Sequence, residues 1–428
     1  MTTLMFQITG VWFLAMLAGM PLFASMGLAA FAFVALADLS LSIVPQKIAQ
    51  TANSFPLLAA PLFILMGNIL NSAGITEKIF AFATAVVGWM RGGLCHANII
   101  ASVIFSGMSG SAVADAAGVG TIEIKAMVDE GYDRPTAAAI TAASATIGPI
   151  IPPSLPMVVY GVSADVSIGA LFLAGVIPGI IMAGAMMVMV RYIAAKRNLP
   201  RHPWPGLMGV WKAFRDAFWA LMAPVILFGG MMSGYFTPTE AAAVAAVYAL
   251  ILGLFVYRDF KLSELPKIVV ETVETTGVVM CLVMAAGALG WCMSISRVPQ
   301  TLTPAIVENI SNPLVFLLVC NILLLVVGCF MEALAAMLIL IPILVPAANS
   351  YGIDPVHFGM MFIFNLILGT IHPPVGVVIF VTAKIANISF EAMSKAIMPW
   401  LIPLLATLVA ITLWPPLSTW LPNLVMGK

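Results

Sequence analysis

The sequence predicts an all-α polytopic membrane protein whose two halves repeat one another. Three observations carry that expectation. Of the 428 residues, 62% are hydrophobic and 8% are charged, whereas a soluble domain carries roughly 25% charged residues. Apolar stretches of about 20 residues, the length that crosses a bilayer, recur from end to end. Finally, "GPIIPPS" from Gly148 to Ser154 has a twin in "GTIHPPV" from Gly369 to Val375, each inside an apolar run.

The elements follow in order. The stretch 5–37 opens the membrane part, because "MTTLMFQITGVWFLAMLAGM" has neither a positively charged leader nor a clear cleavage site. It is long enough for one span or two. Further apolar segments lie at 55–70, 77–94, 96–121, 136–152 and 154–190. The last is expected to hold two elements split near Pro178 and Gly179, since proline removes a helical donor. Segments 217–235, 240–257, 268–293, 313–347, 356–382 and 396–425 complete the set. At about 20 residues per crossing this makes roughly ten to thirteen membrane elements. No soluble domain or low-complexity linker interrupts them.

Charge orients the chain. Arg191, Lys196, Arg197, Arg201, Lys212 and Arg215 put six of the 18 basic residues in one connection, and Arg258, Lys261 and Lys267 lie in another. Two spans joined by "SGYFTPTE" separate these connections, so both can face the cytoplasm, as the positive-inside rule asks. Trp204 and Trp211 in the first connection suggest interfacial helices lying on the membrane.

The duplication has a register. The prolines repeat at 373 − 152 = 221 and 374 − 153 = 221. The same offset pairs Gly107 with Gly328, Asp133 with Asp354, Gly148 with Gly369 and Pro178 with Pro399, without a gap. Each proline costs about 3 kcal/mol in a helix interior, and in hydrocarbon no water satisfies the freed carbonyls. Paired Gly/Pro breaks in two halves of such a chain point to a transporter's site at mid-membrane. A proline kink repaired by neighbouring helices explains one break, but not its recurrence in register with a second polar feature.

That feature is "FSGMSGSAVADAAGVG" (105–120), with Asp115 in an apolar segment; its mate, "VGCFMEALAAML" (327–338), carries Glu332. A charge at bilayer depth costs at least about 2.5–3.5 kcal/mol, so both acids are candidate functional residues. The pattern predicts a re-entrant hairpin in each half, turning at a Gly/Ser tip. Half-helix ends then converge at the centre, N-termini favouring anions and C-terminal carbonyls favouring cations. Taken singly, Ser109 and Ser111 fit helix packing by small residues; together with Asp115, the prolines and the repeat they read as a site.

Other classes are disfavoured. There is no G-x-x-x-x-G-K-[ST] for a pump, and no H-E-x-x-H, H-x-x-E-H or G-x-S-x-G for an enzyme built on Asp115, Glu332 or His372. The five cysteines stand singly in apolar runs and read as small buried hydrophobes. A net charge of zero implies no nucleic-acid partner. A channel is less suited than alternating access to two symmetric helix breaks.

At these residues the chain resembles the large membrane subunit of tripartite ATP-independent periplasmic (TRAP) transporters, within the ion-transporter superfamily. The resemblance rests on "GMSGSAVADAAGVGTIEIKAMVDEGYDRPTAAAITAASATIGPIIPPS", on "NSFPLLAAPLFILMGNIL" and on "ILIPILVPAANSYGIDPVHFGMMFIFNLILGTIHPPVG", and it covers nearly the whole chain. It implies an inverted-repeat elevator transporter in a bacterial inner membrane. Sodium drives uptake of a small organic acid, a periplasmic binding protein delivers it, and a small four-helix membrane subunit, here expected as a separate polypeptide, completes the scaffold. Carried over by position, the first sodium site takes Ser109, Asp115, Gly148, Ile151 and Pro153. The second takes Gly328, Gly369, Thr370 and His372. Substrate is expected near Ser111 and Glu332, with Arg297 as a carboxylate partner or, equally, an interfacial anchor.

The resemblance also suggests a division of the chain. Scaffold helices are expected at 1–94, a first transport repeat at 95–190 and a basic connector with scaffold helices at 191–257. Arm helices follow at 258–312, a second transport repeat at 313–400 and a C-terminal helix at 401–428. The chain departs from the family pattern at His372, where threonine is common, and at Glu332, where aspartate followed by threonines is common. A second sodium site there would lean on carbonyls, and protonation at His372 or Glu332 is an alternative contribution to coupling. The alternative function is a stand-alone dicarboxylate or anion carrier of the same superfamily that needs no binding protein.

Overall fold

The computed structural model describes residues 1–197, 199–258 and 261–427, with the backbone alone for Leu17, Gly107, Met108 and Ser109. Every regular element among the described residues is helical. The first apolar stretch is two helices, α1 (Thr2–Leu17) and α2 (Leu22–Leu36), parted at Gly19, whose φ is +93°, and Pro21. Next come α3 (Ile43–Ala52), α4 (Ala59–Ser72) and α5 (Ile75–Val87). The first repeat holds α6 (Gly93–Ser109), α7 (Ala112–Ala117), α8 (Val119–Asp129), α9 (Arg134–Ala145), α10 (Leu155–Ala164) and α11 (Ile168–Arg197). Between the repeats stand α12 (Gly206–Met232), α13 (Pro238–Ile251), α14 (Leu265–Ile295) and α15 (Val298–Asn309). The second repeat holds α16 (Pro313–Phe330), α17 (Ala333–Ser350), α18 (Pro355–Gly369), α19 (Val377–Ala386) and α20 (Phe390–Leu413), followed by α21 (Pro416–Met426).

Among the described residues, eight helices are long and apolar enough to cross a membrane. Shorter apolar helices, including Leu155–Ala164, Pro355–Gly369 and Val377–Ala386, are the halves of interrupted crossings. Each repeat is a helical hairpin followed by a broken helix and one long helix. The hairpins are α6 with α7–α8, and α16 with α17. The broken helices are α9–α10 and α18–α19. Outside the repeats, α14 packs on α2, α3 and α4, and α13 packs on α4. Helices α6, α11 and α20 run through the divisions drawn at 94/95, 190/191 and 400/401.

Three sequence expectations change. The split within 154–190 falls at Asp165, not at Pro178 and Gly179. Asp165 has φ +56° and ends α10, and the Ser167 hydroxyl accepts from the Ala170 N–H at 3.3 Å as the next helix starts. Pro178 is buried inside α11. A left-handed residue followed by a new cap ends a helix more decisively than one lost donor. Second, the repeat register is not gapless. Helix starts differ by 333 − 112 = 221 and 355 − 134 = 221 before the prolines, but by 377 − 155 = 222 and 390 − 168 = 222 after them. One extra residue therefore sits between Pro374 and α19, and Pro178 and Pro399 are not structural mates. Third, Trp211 lies in the first turns of the 27-residue α12 rather than in a separate interfacial helix. At 1.5 Å per residue α12 is about 40 Å long, longer than the ~30 Å hydrocarbon layer, so its start stands in the interface while the same helix spans.

The two repeats run in opposite directions. The Arg134 guanidinium at the start of α9 donates to the Ala386 carbonyl at the end of α19, at 3.3 Å. On the other side, Asp165 at the end of α10 and Asp354 at the start of α18 line one cavity. Each broken helix thus begins where the other finishes.

Candidate functional site

Both prolines in each pair follow a helix end, and the Pro152–Pro153 and Pro373–Pro374 bonds are cis. In the first repeat α9 stops at Ala145, and Gly148 N–H and Ile150 N–H bond back to Ala145 O at 3.2 Å and Ile147 O at 3.0 Å. Ser154 is fully buried; its hydroxyl donates to Pro149 O at 2.5 Å and accepts from Met157 N–H at 3.3 Å, so it ties the break and caps α10. Gly175 and Gly179 of α11 receive this loop: a Cβ on Gly175 would lie 2.1 Å from Ile150 O, and one on Gly179 2.2 Å from the Ile151 side chain.

The first hairpin turns at Gly110, whose φ is +65° and whose Cβ, if it had one, would lie 2.8 Å from Pro153 O. The tip therefore sits directly on the break of its own repeat. Asp115 is buried in α7. A Cβ on Gly148 would lie 2.0 Å from Asp115 Oδ2, so the carboxylate rests on the Gly148 backbone where a side chain would otherwise be. Among the described residues, the carbonyls of Gly148, Ile151 and Pro153 accept no hydrogen bond. The structure thus places Asp115 on Gly148 and Pro153 against the hairpin tip at Gly110, with Ile151 in the same loop packed on Gly179. Ser109 ends α6 beside them, and its side chain lies outside the described residues.

The second repeat makes the same frame with different chemistry. A Cβ on Gly369 would lie 2.5 Å from Gly328 C, so these backbones touch. Gly376 N–H donates to Cys329 O at 3.1 Å, which holds the second hairpin to its break. Gly369 O accepts from His372 N–H at 3.0 Å and Thr370 O from Val378 N–H at 3.0 Å. The His372 ring lies 3.3 Å from Cys329 Sγ and donates through Nδ1 to Pro373 O at 2.5 Å. Ala336 stands at the register position of Asp115.

Between the tips lies a cavity of about 50 Å³, bordered by both hairpins and both breaks, including Ser111, Pro149, Glu332 and Thr370. The starts of α7, α10, α17 and α19 all reach it through Ser111, Leu155, Glu332 and Val377. Ser111 and Glu332 are register mates, 332 − 111 = 221, and each caps the second arm of its hairpin. Glu332 Oε2 accepts from Leu334 N–H at 2.9 Å and Ala335 N–H at 3.2 Å. Among the described residues, no lysine or arginine borders the cavity. Arg297, expected as a carboxylate partner or an interfacial anchor, is exposed at the turn into α15, with φ +59°, and does not border the cavity. Its helix, α15, packs on α14 and α17, apart from the four helix starts at the cavity.

A second polar group escaped the sequence reading. Asn98 Nδ2 donates to Glu123 Oε2 and to Thr141 Oγ1, both at 2.8 Å, and Ser144 Oγ donates to Asn98 Oδ1. All four side chains are buried. Glu123 lies eight residues after Asp115 but on the next helix, and Lys125 two residues on makes the segment look like a surface arm.

The chain matches the family model described as "Tripartite ATP-independent periplasmic transporter, DctM component" over residues 9–417. It is 45% identical over 417 residues to the sialic acid TRAP transporter large permease protein SiaM of Vibrio cholerae, covering 97% of this chain and 98% of that one. It is 39% identical to the C4-dicarboxylate TRAP transporter large permease protein DctM of the same species, covering 96% of each. Against the sialic acid TRAP transporter permease protein SiaT of Haemophilus influenzae it is 41% identical, covering 97% of this chain and 68% of that longer one. Its fold is similar to the Alcanivorax borkumensis YdaH transporter, with a TM-score of 0.64 at 14% sequence identity, covering 88% of this chain and 90% of that one.

Proposed function

Because the chain belongs to the DctM-component family of tripartite ATP-independent periplasmic transporters, a family of inner-membrane permeases and not enzymes, we propose that it carries a small organic acid into the cell, driven by sodium, by an elevator movement of its two repeats. The observation that carries this reading is the central cavity reached by four helix starts and, among the described residues, by no basic side chain. Each full helix start has a partial positive charge of about half a unit. The starts of α10 and α19 therefore favour an anion without a lysine or arginine, whereas that of α17 is already met by Glu332. At about 50 Å³ the cavity is too small for an organic acid, since ligand pockets run from about 300 Å³, so the hairpin tips part to admit it.

Sodium belongs at the first break. Asp115 supplies charge, and the carbonyls of Gly148, Ile151 and Pro153 supply hard oxygen ligands at helix C-terminal ends, with Ser109 added from the hairpin. The second sodium is assigned to Gly328, Gly369, Thr370 and His372. Two of those carbonyls already accept backbone bonds and no carboxylate is near in register, so weaker binding is expected there. A periplasmic binding protein hands over the acid, and a small membrane subunit buttresses the scaffold. The SiaM-like and DctM-like relatives support an acid as cargo.

The deciding experiment is uptake into proteoliposomes holding this chain with the small subunit, with the cognate binding protein outside, with and without an inward sodium gradient. Uptake that needs sodium and the binding protein, and that Asp115→Ala abolishes, is the expected outcome. Uptake that needs neither moves the chain to the stand-alone carrier class.

A further inference from the structure

Between α5 and the start of α12 lies a cleft of about 610 Å³, bordered also by Tyr257 just past α13. Tyr257 fixes its wall: the hydroxyl donates to Asp216 O at 3.1 Å and accepts from Ala220 N–H at 3.2 Å, and Lys78 Nζ stands 4.3 Å from the ring centre. The remaining charges are of both signs and are held apart. Glu77 borders the cleft from α5, and Lys212 and Arg215, three residues apart on one face of α12, border it from the other side. All three are exposed. Among the described residues Glu77 and Lys212 make no ion pair, with each other or with any other group, although they border the same space. Arg215 reaches only Asp216, at 4.0 Å, and such an exposed contact contributes little. Lys212 and Arg215 belong to the basic connection that the positive-inside rule places at the cytoplasmic face. Trp211, Trp219 and Phe255 nearby in sequence are exposed, as in the aromatic belt at head-group level.

We propose that this cleft seats the head group of a phosphatidylethanolamine from the cytoplasmic leaflet, its phosphate on Lys212 and Arg215 and its primary ammonium on Glu77. A zwitterion satisfies both walls at once, which a plain anion does not. The arginine fork suits the phosphate oxygens, and a primary ammonium offers three donors to the carboxylate. A choline head group has no such donor, and a glycerol head group has no positive charge. The exposed aromatic surface gives the acyl chains a place that a free phosphate would not use. Since α5 packs on α6, the first arm of the first hairpin, as well as on α12, the lipid bridges the hairpin's neighbour to a spanning helix.

The test is native mass spectrometry of the full chain with its small subunit, delipidated in detergent and titrated with phosphatidylethanolamine, phosphatidylcholine or phosphatidylglycerol of the same acyl chains. Phosphatidylethanolamine is expected to half-saturate the first bound-lipid position at a concentration about tenfold below either of the others. Glu77→Gln is expected to erase that preference, while Lys212→Gln with Arg215→Gln weakens all three lipids about tenfold. Lys267→Gln, outside the cleft, is expected to change neither. Should Glu77→Gln lower the unfolding midpoint in detergent, Glu77→Ser serves in its place. Equal binding of the three lipids, tighter binding of phosphatidylglycerol, or a phosphatidylethanolamine preference that survives loss of the Glu77 charge overturns the proposal.

Discussion

At the residue scale the most telling contact is that of Asp115 with the backbone of Gly148. A buried carboxylate needs compensation, and here it rests where a Cβ would be, 2.0 Å from that position, close to carbonyls left without donors by the proline break. Glycine is required by this close approach rather than by an unusual φ. Gly148→Ala is therefore expected to displace the carboxylate and raise the sodium concentration for half-maximal uptake about tenfold or more, a change worth 1.4 kcal/mol or above. The check is a sodium titration of uptake. An unchanged midpoint would detach Asp115 from the ion. Glu332 is the contrasting acid, since two N–H groups of α17 stabilise it.

At the scale of elements, each broken helix is held by a small number of ties. Ser154 is the chief one in the first repeat, joining Pro149 O to the start of α10. Losing a cap costs about 1 kcal/mol, and a buried carbonyl left without its donor costs about 1–3 kcal/mol more. Ser154→Ala is thus expected to destabilise the chain by about 2–4 kcal/mol, seen as a lower unfolding midpoint in detergent, with a larger loss than Ser389→Ala, an exposed cap of α20. The second repeat uses no serine there. Gly376 and its extra residue let Thr370 O take the Val378 N–H instead, and the His372 ring holds Pro373 O.

For the whole molecule, the antiparallel relation of the repeats makes an accessible prediction. Asp129 at the end of α8 and Ser350 at the end of α17 are register mates, 350 − 129 = 221, and both are exposed. With the basic connections inside, a cysteine at 129 is expected to react with an impermeant maleimide from the cytoplasmic face alone, and one at 350 from the periplasmic face alone. Labelling of both from the same face would refute the inversion. The connector supports the assignment. Arg197 lies 3.4 Å from Asp133 and donates to Thr136 Oγ1 at 2.6 Å, and His202 lies 2.7 Å from Glu130, so the basic stretch caps the base of the first hairpin.

Much of this protein was determined by its sequence. Apolar runs of about 20 residues demand helices in a bilayer, because unsatisfied backbone is not tolerated there. Two Gly-x-x-x-Pro-Pro breaks in one register locate the centre, and Asp115 and Glu332 stand out because charge in an apolar segment is costly. What only the tertiary structure decided is where helices stop and what faces what. Pro178 looked like a break and is not, since a helix survives one missing donor when packing holds it. Asp165 looked ordinary and is the real end, because its left-handed φ depends on the turn around it. The extra residue before α19 is invisible in a gapless alignment, as Pro178 and Pro399 happen to restore the old offset. Arg297 is placed at a helix start away from the cavity, and Glu123 joins Asn98 and Thr141 across three helices. Spacing along a chain sets which residues share a helix face; contacts between helices far apart in sequence are set by packing, which no local pattern encodes.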